Sequence, residues 1–296
     1  MRRIFLAAIL LLLVSCQTYK PHIDAWEFVK FPAADRGSIK KLVGSESQFL
    51  KEKRNLYIYT PTGYEAETNT YPVIYFMDGN NLFSRFANRF SNWNLDLILD
   101  SLISQGQMPK VIIVGIGNTG SRTAEYVPYV IQDVPNFMNP HPQAENLLKY
   151  ISSELKPFID SQYRTALGRE NTFVAGSSFG GLFSLYALLK APEVFGGALA
   201  FSPSLWPGQE SLFGDFQSSP LGQSLKLYID MGGREAVRGT DFYSQGALER
   251  FNLLLSTHQP QIDVKSVFDP EAKHDEPAWT ARLPDALVWM FAPMKL

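Results

Sequence analysis

The sequence predicts an α/β fold, with one domain over residues 39–296 built on a mostly parallel, eight-stranded sheet flanked by helices. Three observations point there. Strand-like and helix-like segments alternate from residue 39 onward, the pattern of successive βαβ units. Several strand candidates are continuous apolar runs, Val111-Ile112-Ile113-Val114 most clearly, as in strands covered by helices on both faces. No internal repeat, low-complexity tract or Pro/Gly-rich linker divides this segment, although a chain of 296 residues carries a prior of two domains.

The segments before the domain read as an address and a tether. Arg2 and Arg3 precede an apolar run over 4–14, far short of the roughly 20 residues that span a bilayer as a helix, so residues 1–15 read as a signal peptide. The run ends Leu13-Val14-Ser15-Cys16, which resembles the bacterial lipobox. That resemblance implies that Cys16 is diacylated and becomes the mature N-terminus. Two acyl chains hold a protein stably on a membrane where one is marginal. The expected location is the bacterial cell envelope, lipid-anchored and facing the periplasm or the exterior. Residues 17–38 mix Pro, Asp and aromatic residues without a period, and with Cys16 form the expected lipidated tether.

Composition narrows the function classes. The chain is 45% apolar and 19% charged, which excludes a disordered protein. The 27 basic residues less Arg2 and Arg3, set against 29 acidic ones, give a mature net charge of −4. No strong field is present to attract nucleic acid, which is not an expected partner. Cys16 is the single cysteine, so internal disulfides and thiolate-rich zinc sites are excluded.

Strands are expected at 39–43, 54–60, 72–78, 110–117, 172–177, 196–201, 226–231 and 262–268, the first two as an antiparallel hairpin. Helices are expected at 93–105, 144–163, 179–190, 242–258 and 277–290. In the second helix, Leu147, Leu148, Ile151, Leu155, Phe158 and Ile159 form one apolar stripe, and Pro157 should kink it.

The chemistry-bearing motif follows the strand at 172–177. Gly176-Ser177-Ser178-Phe179-Gly180-Gly181 runs directly into an apolar helix. Gly-x-Ser-x-Gly between a strand and a helix is the nucleophile elbow of α/β-hydrolases. A sharp strand-to-helix turn thrusts one side chain outward and requires small residues two positions before and after it. Ser178 has Gly176 and Gly180 there, whereas Ser177 would have Ala175 and Phe179. Ser178 is therefore the candidate nucleophile, at the positive end of a helix whose amides stabilise an anion. Gly115-Ile116-Gly117-Asn118-Thr119-Gly120 spells a dinucleotide fingerprint, but Pro128 arrives too soon for a good helix and no short βαβ return follows. These glycines are expected in a loop at the carboxyl edge of the sheet, where α/β proteins bind ligands.

In this fold the acid and then the base follow the serine. Of the four histidines, His22 and His141 precede Ser178, and His258 ends a predicted helix. His274 lies between the last strand and the closing helix and is the expected base. The acid should follow the strand at 226–231, where Glu235 is the first candidate and Asp230 and Asp241 are alternatives. Its task is to fix the imidazole tautomer and stabilise the imidazolium.

With these residues assigned, the chain resembles the Putative esterase family of α/β-hydrolases, which includes siderophore (enterochelin) esterases, feruloyl esterases and esterase D. The resemblance runs over residues 45–292. It rests on the elbow, on Tyr75-Phe76-Met77-Asp78-Gly79-Asn80-Asn81-Leu82-Phe83, and on Val114-Gly115-Ile116 with Arg122 and Tyr126. Leu155-Lys156-Pro157-Phe158-Ile159, Ser202-Pro203-Ser204-Leu205-Trp206 and His274-Asp275-Glu276 with Trp279 complete it in the same order. Two positions depart: many relatives carry Gly-Gly where Ala272-Lys273 stands, and Asp where Glu235 stands.

The resemblance implies a serine carboxylesterase working through an acyl-enzyme. The oxyanion would be held by the amide of Phe179 and one from the Gly79–Asn80 loop. No cofactor or metal is expected. Arg122, with Arg85, Arg89, Arg234 and Arg238, falls in loops expected near the carboxyl edge, where arginine suits carboxylates and catecholates. Trp206, Phe83 and Phe86 are candidates for an apolar wall. The expected substrate is a small-molecule or glycan-linked ester, such as a siderophore ester or an acylated or feruloylated glycan. Two alternatives are an acyltransferase to a sugar hydroxyl, as in mycolyltransferases of similar fold, and a non-catalytic surface binding lipoprotein.

Overall fold

The computed structural model describes residues 21–29, 36–84, 92–132, 134, 137–219, 221, 225–235 and 244–294. The expected signal peptide, Cys16, Arg85, Phe86, Arg89, Arg238 and Asp241 lie outside the described residues. All eight expected strands form, and a ninth precedes them. The strands are β1 (Ala25–Val29), β2 (Ser38–Ser45), β3 (Arg54–Thr60), β4 (Val73–Met77), β5 (Ile112–Ile116), β6 (Thr172–Ser177), β7 (Gly197–Phe201), β8 (Leu225–Arg234) and β9 (Ile262–Lys273). They make one sheet in the order β1-β2-β3-β5-β4-β6-β7-β8-β9. The pairings β1–β2, β2–β3 and β3–β5 are antiparallel, and every pairing from β5 through β4 to β9 is parallel.

β1 lies within the segment read as a tether, 17–38, where no strand was expected. Its register, from Ala25 opposite Val43 to Val29 opposite Ile39, adds an antiparallel edge to the hairpin.

The helices are α1 (Leu95–Ser104), α2 (Arg122–Tyr126), α3 (Ala144–Lys149), α4 (Lys156–Gln162), α5 (Phe179–Lys190), α6 (Gln209–Ser218), α7 (Ser244–His258) and α8 (Glu276–Phe291). The helix expected over 144–163 is present, with a π-helical turn at Tyr150–Leu155 between α3 and α4. Pro157 lies in the first turn of α4, where its missing N–H is tolerated, and the ladder widens just ahead of it. α2 and α6 were not expected.

Side chains alternate across the sheet into two cores. On β4, Val73, Tyr75 and Met77 join one cluster, together with apolar residues of α3 to α7. Ile74 and Phe76 join the other, with Leu95 and Leu99 of α1 and Leu283 and Leu287 of α8. α5 is buried nearly all round, which explains its continuous apolar sequence. Among the described residues, no helix is long and apolar enough to cross a membrane.

Candidate active site

β6 delivers Ser178 into the turn that opens α5. Its backbone stands at φ 57°, ψ −124°, a positive φ that a residue with a Cβ adopts only under strain. The crowding inferred from the sequence is visible at the flanking glycines. A Cβ at Gly176 would sit 2.6 Å from the Gly180 carbonyl carbon and oxygen, and one at Gly180 3.0 Å from Cβ of Met77. The turn is tied down by Ser178 N–H donating to Phe201 O (3.0 Å) and by Ser204 N–H donating to Ser178 O (3.1 Å). The Ser178 and Ser204 hydroxyls are 3.3 Å apart. Ser177, the rejected alternative, is buried at the end of β6.

His274 stands between the end of β9 and Asp275, whose side chain caps α8 by accepting from Ala278 N–H (3.0 Å). The imidazole packs edge-on against Trp279, with centroids 5.1 Å apart at 85°. Its Nδ1 lies 3.1 Å from Glu235 Oε2. β8 runs on to Arg234, past the expected end at Met231, with its register shifting between Gly232 and Arg234. Glu235 follows directly, and its Oε1 accepts from Gly232 N–H (2.5 Å) and from the Ser202 hydroxyl. Asp230, an alternative acid, is fully buried elsewhere, bound by Arg282 through Nε (2.8 Å) and Nη2 (3.0 Å). Burial raises the Asp230 pKa despite that arginine.

Ser178, Glu235 and His274 line one pocket of about 260 Å³. Its remaining wall includes Arg122, Phe137, Phe179, Leu205, Trp206 and Met231. Phe137, Phe179 and Trp206 form a three-ring cluster with centroids 5.6–5.9 Å apart. Trp206 was expected here; Phe137 and Met231 were not singled out. Phe83 is a correction: it is fully buried in the cluster under α1 and α8, stacked on Tyr59, and lines no part of this pocket. An aromatic residue just beyond a strand end is as readily drawn into the core as left at a mouth.

Arg122 lines the pocket but is already engaged. It grips Asp78 through Nε–Oδ1 (2.7 Å) and Nη2–Oδ2 (2.8 Å) and lies over the rings of Tyr126 and Phe179. Burial opposes its charge, yet the Asp78 carboxylate outweighs that and raises its pKa further. Asp78, with φ 56°, leads into a 3₁₀ turn at Gly79–Asn81. The Asn80 side-chain oxygen accepts from Asn118 N–H (3.1 Å). A Cβ at Gly79 would lie 2.4 Å from the backbone carbon of Gly115, so the two chain segments stack without side chains between them. Gly180 of the elbow lies against the side chains of Met77 and Asp78, which lead into this turn; Gly79 and Asn80 themselves do not line the pocket. Arg234 pairs with Glu271 at the surface and is also outside the pocket. Among the described residues, no group of three or more His, Cys, Asp or Glu residues is arranged to hold a metal.

A mostly parallel sheet with a serine on a strained strand-to-helix turn, and a histidine arriving after the last strand, defines the α/β-hydrolase class. The comparisons with known proteins sharpen that. The model of the Putative esterase family matches residues 47–290, and the chain belongs to this family. It is 29% identical over 153 residues to the ferri-bacillibactin esterase of Bacillus subtilis, covering 46% of this chain and 48% of that protein. It is 26% identical over 193 residues to an endo-1,4-beta-xylanase/feruloyl esterase of Xylanibacter ruminicola, covering 58% of this chain and 24% of that protein. The alignments thus span less than two thirds of these relatives' lengths. An IroE-like serine hydrolase from Shewanella oneidensis superposes with a TM-score of 0.68 at 28% identity, covering 86% of this chain and 80% of that one.

Proposed function

We propose that the protein is a serine carboxylesterase in which Ser178, His274 and Glu235 form the triad. The observation that carries this reading is one pocket lined by a strained serine and by a histidine whose Nδ1 is engaged by a carboxylate. With Nδ1 turned to Glu235, the imidazole has Nε2 left to act as base. Ser178 Oγ attacks the ester carbonyl carbon as His274 takes its proton. The carbonyl oxygen becomes an oxyanion held by the amide of Phe179 and one from the Gly79–Asn80 turn; each such donor contributes about 10²–10³ in turnover. Collapse expels the alcohol, which receives the proton from His274, and leaves Ser178 acylated. Water, deprotonated by His274, then releases the acid and regenerates the serine.

The substrate class follows from the wall. Phe137, Phe179 and Trp206 offer ring faces and edges to an aromatic acyl group. Both named relatives act on esters whose names fit that chemistry, a ferri-siderophore and a feruloyl ester. On this reading the substrate is a siderophore ester or a feruloylated glycan. The chain works outside the cytoplasm, held at the bacterial cell envelope by a diacylated Cys16, which the sequence around that residue supports.

The test is a fluorophosphonate probe with a hydrolysis panel of p-nitrophenyl esters, feruloyl sugars and enterobactin. Wild-type protein should label and hydrolyse, and Ser178→Ala should do neither. Near-normal ester cleavage by Ser178→Ala would refute the triad. For the anchor, globomycin should block processing of the full chain; a soluble mature form lacking Cys16 would exclude lipidation.

A further inference from the structure

Behind Glu235 lies a buried polar network that no step above uses. Ser202, at the end of β7, is held at φ 39° and is 1% exposed. Its backbone N–H donates to Asp230 Oδ1 (2.8 Å). Its hydroxyl oxygen is approached by two groups that can only donate, Trp279 Nε1–H (2.9 Å) and Arg282 Nη2–H (3.0 Å). A hydroxyl has two lone pairs and one hydrogen. With both lone pairs occupied, the hydrogen has one place to go, Glu235 Oε1.

We propose that Ser202, locked as a donor by Trp279 and Arg282, is a positioning residue that sets the orientation of Glu235 and through it the imidazole of His274. This rests on the triad reading above. With the Ser202 hydroxyl and Gly232 N–H both directed at Oε1, the carboxylate cannot rotate without giving up both bonds, the one from the buried Ser202 hydroxyl included, so Oε2 stays turned to Nδ1 of His274. The ionisable groups facing this network are Asp230 and Tyr228 from β8, Arg282 from α8 and His274 beyond β9, with Arg122 across the pocket. The arginine charge reaches the carboxylate through one hydroxyl, so this device needs Ser202 and not merely a small residue.

The experiment uses Ser202→Gly in the full-length protein. Glycine accepts φ 39° without strain, so this variant removes the hydroxyl while easing the backbone. Trp279→Phe is the second variant; it deletes the indole donor and keeps a smaller aromatic ring between Trp93 and His274. The titration of His274 is followed by NMR, and kcat and KM are normalised to active sites counted with the fluorophosphonate probe. Deleting a hydrogen bond to a charged group should lower kcat of Ser202→Gly about tenfold, with KM little changed. With Glu235 free to turn Oε2 away from Nδ1, the imidazolium loses part of its counter-charge, so the His274 midpoint should fall. Trp279→Phe should move both readouts in the same direction by less. A folded Ser202→Gly protein with wild-type kcat and an unmoved His274 midpoint would overturn the proposal, as would an unmoved midpoint in Trp279→Phe should Ser202→Gly fail to fold. Ester cleavage surviving in Ser178→Ala would instead defeat the triad, a separate outcome read on a separate variant.

Discussion

The backbone at Ser178 makes a prediction that separates stability from chemistry. Its φ 57°, ψ −124° is the mirror image of the polyproline region, which glycine occupies as readily as its opposite. For any residue with a Cβ, such a position costs about 1–3 kcal/mol. Replacing Ser178 by Gly removes that strain but adds about 0.5–1 kcal/mol of backbone entropy in the unfolded chain. Ser178→Ala keeps the strain and loses only the 3.3 Å contact with Ser204. The Gly variant should therefore be more stable than the Ala variant by about 1.2 kcal/mol, the difference between the midpoints of those two ranges. At about 2–4 °C per kcal/mol this is a Tm difference of roughly 2–5 °C. Urea unfolding followed by tryptophan fluorescence measures it, provided both variants share one m-value. Both should lose about 10⁶ in turnover, as serine hydrolases do without their nucleophile. A Gly variant no more stable than the Ala variant would show that the elbow holds no strain, and the crowding argument would fail with it.

Three further outcomes follow from the pocket and the core. Glu235→Gln should reduce kcat by about 10²–10⁴ with the protein still folded, because the imidazole loses its counter-charge and its enforced tautomer; steady-state kinetics on an activated ester decides it. Trp206→Ala opens the three-ring cluster and should raise KM for feruloyl esters about tenfold relative to acetyl esters, one aromatic contact being worth about 0.5–1.5 kcal/mol beyond its area. Phe83→Ala should do the reverse: the fold loses about 3–5 kcal/mol in denaturation while the ratio of feruloyl to acetyl turnover stays fixed.

The central sheet was legible in the sequence because parallel strands covered on both faces must be apolar throughout. β6 begins and ends where expected, at Thr172 and Ser177, around the apolar core Phe173-Val174-Ala175. α6 escaped notice because Gly214 interrupts it and only Leu212, Phe213 and Phe216 of its residues are buried hydrophobics. At the site, Ser178, Glu235 and His274 could be singled out because the fold prescribes their chain order and the loops that carry them. Arg122 and Asp78 were both quoted, yet nothing local reveals an ion pair across 44 residues. Ser202 was seen only as part of a family block, since its role depends on Trp279 and Arg282, 77 and 80 positions away. Residues whose function is to touch something distant leave no periodic trace.

The glycine contacts around the elbow carry a consequence for how such a protein diversifies. Gly176 meets the Gly180 backbone and Gly79 meets the Gly115 backbone, while Gly180 lies against the side chains of Met77 and Asp78, so the serine turn and the turn at Gly79–Asn81 are packed with no room for added side chains. The bond-breaking machinery thus forms a rigid chassis, indifferent to which side chains decorate the rim. Phe137 and Trp206 lie outside those glycine contacts and meet the elbow through the ring of Phe179. A workshop for new ester preferences would therefore begin at those two positions and leave the glycines alone.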